Sequence, residues 1–265
     1  MTLVYGLYAP NAPNLIAPEV FGGVGQETVE ALRGLDVPSR IRPEAILVAT
    51  PHWITPTFYV QGSVRPRQIY DFSGFPRKLY DVRYEPPGDP ELARALVEEG
   101  KGRHLDVELT TDHGLDHGAW APLLHISPGA KIPLVPLSVT YLPAEDHLAW
   151  GEAIGHALST TKRRVAFVST GSITHRLDRF AMSASEAWPE GARIEKEIVD
   201  LLLAKKYQEV SNFDPEQWQT VAPEGDLAPL FTMLGALGPS FSPRLVHTGQ
   251  VFGAAGLSTL EYLPE

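Results

Sequence analysis

Two kinds of hydrophobic run alternate along this chain. Ala45-Ile46-Leu47-Val48-Ala49 is apolar without a polar break and stops at Thr50-Pro51. An unbroken run of that length reads as a strand buried on both faces, the kind found inside an α/β sheet. Ile132–Val139 and Val165–Thr170 have the same character. Leu3–Tyr8, Thr57–Val60, Leu105–Leu109 and Leu245–Phe252 are further strand candidates, the last expected to complete the sheet. Between them lie segments with helical spacing: Gln26–Leu35, Asp89–Glu99, Ala144–Leu158, Pro189–Lys205 and Gly225–Leu237. Asp89-Pro90 offers an N-cap followed by proline at the first helical position. Strands alternating with helices predict an α/β fold: a single domain over residues 1–265, with a central mostly parallel or mixed sheet flanked by helices. No internal repeat or linker interrupts the pattern.

Open α/β sheets bind their ligands at the carboxyl edge of the strands. Proline cannot donate to a strand ladder, so Pro51 is expected to end the pairing and deliver His52 to that edge. His175 stands in the same position after the Val165–Thr170 run, in Gly171-Ser172-Ile173-Thr174-His175. His113 and His117 flank a glycine-containing turn that opens the apolar segment Ala119-Trp120-Ala121-Pro122-Leu123. The first strand closes on the proline-bounded loop Ala9-Pro10-Asn11-Ala12-Pro13-Asn14. Ile69–Asp89 is rich in aromatics, Gly and Pro and has no period; it reads as a lid or binding loop, or equally as an ordered surface loop packing its own aromatics.

Composition narrows the chemistry. A net charge of -10 argues against a nucleic-acid surface, which is normally basic, although a small anionic substrate could still be held locally. With no cysteine, disulfides, thiolate metal sites and Cys nucleophiles are excluded. No run reaches the roughly 18 apolar residues that span a bilayer, and Met1 leads into a strand pattern without a signal peptide. A soluble, cytoplasmic protein with no membrane or nucleic-acid partner is expected. Imidazole is a ligand for iron, zinc and copper and moves protons near neutral pH. His52, His113, His117 and His175 are therefore the site candidates. His104, His125, His147, His156 and His247 are assigned to the surface or to hydrogen bonding, His147 and His156 to solvent.

Thr50-Pro51-His52-Trp53, Tyr70-Asp71-Phe72-Ser73-Gly74-Phe75-Pro76, Asp116-His117-Gly118-Ala119-Trp120 and the Gly171–Leu177 turn occur in an order that resembles a known family. Together they look like the class III extradiol ring-cleavage dioxygenases of the LigB type, in particular the DOPA-dioxygenase-like branch. The resemblance implies a non-haem metal, Fe(II) with zinc as the alternative, acting with O2 on a catechol- or aminophenol-like aromatic substrate. By the same resemblance His52 matches the second metal histidine and Glu224 the metal carboxylate, with Asp226 behind it. His175 matches the acid/base for the substrate hydroxyl, and His117 the histidine that contacts substrate or oxygen. Tyr70, Phe72 and Phe75 would line or cover the pocket. His113, which is not clearly a family position, is placed beside the substrate. A homodimer or a paired homologous subunit is implied as partner.

One residue departs from the family pattern: its first metal histidine falls at Asn11. A neutral amide oxygen is a weaker ligand than an imidazole. Even changes in the groups around metal ligands typically lower affinity about 10–100-fold. A non-catalytic subunit or binding protein with a degenerate site and no metal is therefore the alternative. A zinc hydrolase ranks last, since the chain has no His-Glu-x-x-His.

Overall fold

In the computed structural model, which describes residues 2–180 and 188–265, the unbroken apolar runs lie at the centre of one eight-stranded sheet. In chain order the strands are β1 (Leu3–Ala9), β2 (Ala45–Ile54), β3 (Phe58–Gln61), β4 (Val107–Thr110), β5 (Leu134–Val139), β6 (Val165–Thr170), β7 (Phe241–His247), β8 (Gln250–Val251), β9 (Ala255–Gly256) and β10 (Thr259–Pro264). The sheet order is β4-β3-β5-β2-β6-β1-β10-β7, and β8 and β9 form a separate small hairpin. Strands β5, β2, β6 and β1 are mutually parallel. The joins of β3 to β5, β1 to β10 and β10 to β7 are antiparallel, so the sheet is mixed.

The helices are α1 (Gln26–Gly34), α2 (Val37–Arg40), α3 (Pro90–Gly102), α4 (His117–Ile126), α5 (Ala144–Thr160), α6 (Pro189–Leu203), α7 (Tyr207–Ser211), α8 (Pro215–Val221) and α9 (Ala228–Leu237). They cover both faces, which explains why the central strands are apolar throughout. Leu47 and Ala49 of β2 pack with residues of α3, α5, α6 and α9. Ile46 and Val48, one position out of phase, pack with α1, α2 and α4 on the opposite face. The same alternation splits Phe167 from Ala166 and Val168 in β6. Among the described residues no helix is long and apolar enough to cross a membrane.

Three expectations need correction. Pro51 does not end its strand: pairing to β6 stops at Ala49, but the strand passes the proline and rejoins β5 at Ile54. Leu245–Phe252 completes the sheet only in part: Leu245–His247 end the edge strand β7, and Gln250–Val251 turn off into the separate hairpin. The strand between β1 and β7 is β10, whose buried Thr259 and Glu261 break the apolar run that would reveal it. Glu261 is tolerated there because Arg40, Arg244 and the Tyr5 hydroxyl bond to it. Last, His147 is not at solvent. It is buried between the Thr140 and Thr232 hydroxyls, at 3.3 and 3.2 Å, and burial pushes its pKa down to about 4, so it is a neutral core residue. His156 is exposed and paired with Glu99.

Candidate active site

The carboxyl end of β2 is tied to the start of α4 by a short chain of hydrogen bonds. The His52 backbone N–H donates to Thr50 Oγ1 (3.0 Å), and the Thr50 hydroxyl donates to Asp116 Oδ1 (3.0 Å). Asp116 caps α4, accepting from Ala119 N–H at 3.1 Å. His117, the first residue of α4, is thereby set against His52, with ring centroids 4.1 Å apart. Gly118 permits this approach: a Cβ there would collide with Thr50 Oγ1 and the His52 ring.

Asp71 joins the two rings. Its Oδ2 lies 3.0 Å from His52 Nδ1, and its Oδ1 lies 2.9 Å from His117 Nδ1 while also accepting the His117 backbone N–H at 2.8 Å. Both histidines therefore present Nε2 away from Asp71. Burial would raise the Asp71 pKa, but the bonds from His117 and His52 outweigh it and hold the carboxyl well below the usual range.

A second carboxylate meets His52 on its other nitrogen. Glu224 Oε1 is 3.1 Å from His52 Nε2, 3.4 Å from Asn11 Nδ2 and 3.8 Å from His175 Nε2, while Oε2 accepts the Ser172 backbone N–H at 3.1 Å. Glu224 sits on a strained turn. Gly225, Asp226 and Leu227 all have left-handed backbone, with φ of 56°, 51° and 58°, a conformation disfavoured for the two non-glycine residues. The predicted helix from Gly225 thus begins only at Ala228. The turn also separates the two acids: Asp226 is exposed and accepts from the Trp218 indole at 3.0 Å, so it does not join the cluster. With a carboxylate on each ring nitrogen, His52 is held as an imidazolium. Burial alone would lower its pKa, but the bonds to Asp71 and Glu224 push it up to about 10. Glu224, buried and opposed in the same way, is held below its ordinary value by His52 and His175.

These groups open onto a cavity of about 230 Å³ that also meets the β8–β9 hairpin. Asn11, His52, His117, His175 and Glu224 line it. Of the predicted pocket aromatics only Phe75 does so. Phe72 packs edge-on against the His117 ring with centroids 5.2 Å apart, and Tyr70 stands behind it, bonded to the Val82 carbonyl. His113 does not line the cavity: it stacks on Trp53 at 4.3 Å and bonds to Asp116 at 3.3 Å. A larger cavity, about 360 Å³, lies beside Tyr141, Leu142, Trp218 and Asp226 and holds none of the strand-end histidines. Convergent polar groups rather than size mark a site, so the smaller cavity is the candidate.

A family model described as the catalytic LigB subunit of aromatic ring-opening dioxygenase matches residues 19–259. The chain belongs to the LigB family. It is similar to the 4,5-DOPA dioxygenase extradiol of Mirabilis jalapa, 31% identical over 230 residues that cover 84% of this chain and 84% of that protein. The protein of the same name from Portulaca grandiflora is 30% identical over 229 residues, covering 84% and 83%. An uncharacterized protein from Escherichia coli K12 has the same fold, with a TM-score of 0.75 at 22% identity over 97% of this chain and 99% of that one. This LigB chain therefore has dioxygenases as relatives, in keeping with an enzyme of the extradiol superfamily. Asp71 is the one residue of the cluster that sequence reasoning left without a role. The signal for it was an acid set between aromatics in Tyr70-Asp71-Phe72.

Proposed function

We propose that this protein is a non-haem metal-dependent extradiol dioxygenase, opening a catechol- or aminophenol-like ring with O2. The observation that carries the reading is the convergence of His52 Nε2, Asn11 and His175 Nε2 on one oxygen of buried Glu224. Mixed imidazole and carboxylate donors suit a divalent iron or zinc ion, and among the described residues Glu224 has no Lys or Arg partner. In this reading His52 and Glu224 hold the metal with Asn11 beside them. When bound, the metal supplies the Lewis acidity that holds two adjacent ring heteroatoms and the electrons exchanged with dioxygen.

The chain's own residues supply the rest. His175 Nε2, at 3.8 Å too far from Glu224 for a hydrogen bond, is the group that takes the substrate hydroxyl proton. His117 has Nδ1 committed to Asp71, which leaves Nε2 to meet the reacting oxygen. Phe75 and the neighbouring apolar wall exclude water and seat the ring. Anaerobic titration of metal-free protein with Fe(II) is expected to give stoichiometric binding, and adding a catechol in air should then consume O2 and place both its atoms in the product. His175→Ala is expected to lose roughly 10²–10⁴-fold in turnover while keeping its metal. Failure of the folded protein to bind Fe(II) or zinc would favour the second reading, a non-catalytic LigB-like subunit, to which Asn11 points.

A further inference from the structure

The cavity is chemically lopsided. Its ionisable groups, His52, His117, His175 and Glu224, lie together with Asn11 and Ser172, whereas Phe75, Leu177, Phe180, Val251, Phe252 and Ala255 make most of the rest apolar; Asn14 also lines it, with its amide nitrogen given to the Val24 carbonyl at 2.8 Å. No Lys or Arg lines it among the described residues. The loop that supplies Leu177 and Phe180 also carries two arginines, and both are engaged elsewhere. Arg176 bonds to Asp178 (2.7 and 2.6 Å) and to the Thr220 carbonyl (2.9 Å), while the Arg179 guanidinium lies 4.4 Å over the Trp188 ring. Residues 181–187 read Ala-Met-Ser-Ala-Ser-Glu-Ala and contain no basic side chain. Near Phe75, Lys78 is paired with Glu19, and Arg77 is exposed and outside the lining.

We infer that the ring substituent of the substrate is neutral and apolar: a short-chain alkyl catechol or o-aminophenol, not one bearing a carboxylate or an amino-acid side chain. This inference rests on the proposed function, which places the two ring heteroatoms among the polar groups. The substituent must then point into the apolar part. A carboxylate there, against the buried Val251, Phe252 and Ala255, would give up water without gaining a partner. The net charge of -10 adds a field that opposes anions. Size sets the other bound. An apolar cavity of about 150 Å³ admits benzene, so about 230 Å³ has room for one ring and a short chain. The DOPA for which the relatives are named carries both a carboxylate and an ammonium group, and would have neither matched in that apolar part.

The test is anaerobic calorimetry on the 265-residue chain with Fe(II) added, using 4-ethylcatechol, 3,4-dihydroxyphenylacetate and DOPA as probes. The expected result is binding of 4-ethylcatechol about tenfold or more tighter than either acid. Equal or tighter binding of the acids would overturn the inference and leave the dioxygenase reading standing. Binding of none of the three would overturn both. Leu177→Arg, at a position 61% exposed and thus tolerant of charge, should tighten 3,4-dihydroxyphenylacetate roughly two- to fivefold. An unchanged affinity in that variant would count against a substituent directed toward Leu177 and against the inference.

Discussion

The two sides of the His52 ring make an instructive pair. On the Nδ1 side Asp71 is saturated: it accepts from His52 Nδ1, His117 Nδ1 and the His117 backbone, all at 3.0 Å or less. On the Nε2 side Glu224 is more buried, yet its contacts are looser, at 3.1, 3.4 and 3.8 Å to side chains. A group of His52, Asp71 and His117 is close enough to hold a metal ion by distance alone. A cation there would have to displace hydrogen bonds already well made. At Glu224 it would instead replace the one proton on His52 Nε2 and meet a carboxylate whose side-chain contacts are longer. In the proposed reading Asp71 orients the two imidazoles and Glu224 meets the metal.

The largest way to break this contrast is Glu224→Ala. Its effect on Fe(II) binding should exceed the 10–100-fold typical of losing a group around the ligands, and it should abolish activity. Asp226→Ala, two residues on, should leave metal affinity unchanged, because its carboxylate sits on the Trp218 indole. Equal losses in the two variants, measured by anaerobic titration, would sink the assignment. Next comes Asp71→Asn, which keeps the shape but can satisfy only one histidine in the same sense. A loss of about 10–100-fold in metal affinity or kcat is expected, together with a shifted pH–rate profile because His52 loses one of its two anionic partners. A protein that is merely less stable, with its pH profile intact, would reduce Asp71 to a packing role.

How much of this was legible beforehand follows from where each residue stands. β2 and β6 were visible because burial on both faces demands an unbroken apolar run, and their ends located His52 and His175. β10 was hidden because Glu261 is buried against two arginines brought in from α2 and β7. A tertiary ion cluster leaves no periodic trace. His147 looked polar and solvent-facing because its two threonine partners lie on other segments of the chain. The Glu224 turn was read as helix, since three successive left-handed residues are set by docking against Pro51 and Ser172 rather than by local preference. For Asp71 an acid between two aromatics was the whole local signal, and its role came only with the fold: its two histidines are separated by 65 positions in the chain and meet only across the end of the sheet.

A smaller change sharpens the Glu224 side. Asn11 is buried and bonded to Glu224, so Asn11→His places an imidazole in the existing cluster. Fe(II) affinity is expected to rise roughly tenfold or more, the reverse of a ligand-environment loss. No change on titration would mean that residue 11 does not face the metal.

The mildest probe leaves the sequence alone and uses pH. The His52 pKa is raised from the ordinary 6.5 to about 10 in the folded protein, so between those values the native state binds more protons than the unfolded chain. Its contribution to stability is therefore complete below about pH 6.5 and fades as the pH climbs toward 10. Denaturant midpoints of the metal-free protein should fall from pH 6.5 to pH 9. The depressed carboxylates of Asp71 and Glu224 act in the opposite direction, stabilising above the usual carboxylate range and failing only on acidification, so they do not mask this slope. Metal should remove most of it. If the ion takes the place of the Nε2 proton between His52 and Glu224, the loaded protein no longer depends on that proton and its midpoint should stay flat over the same window. Parallel slopes with and without metal would place the ion elsewhere and leave Glu224 holding only a proton.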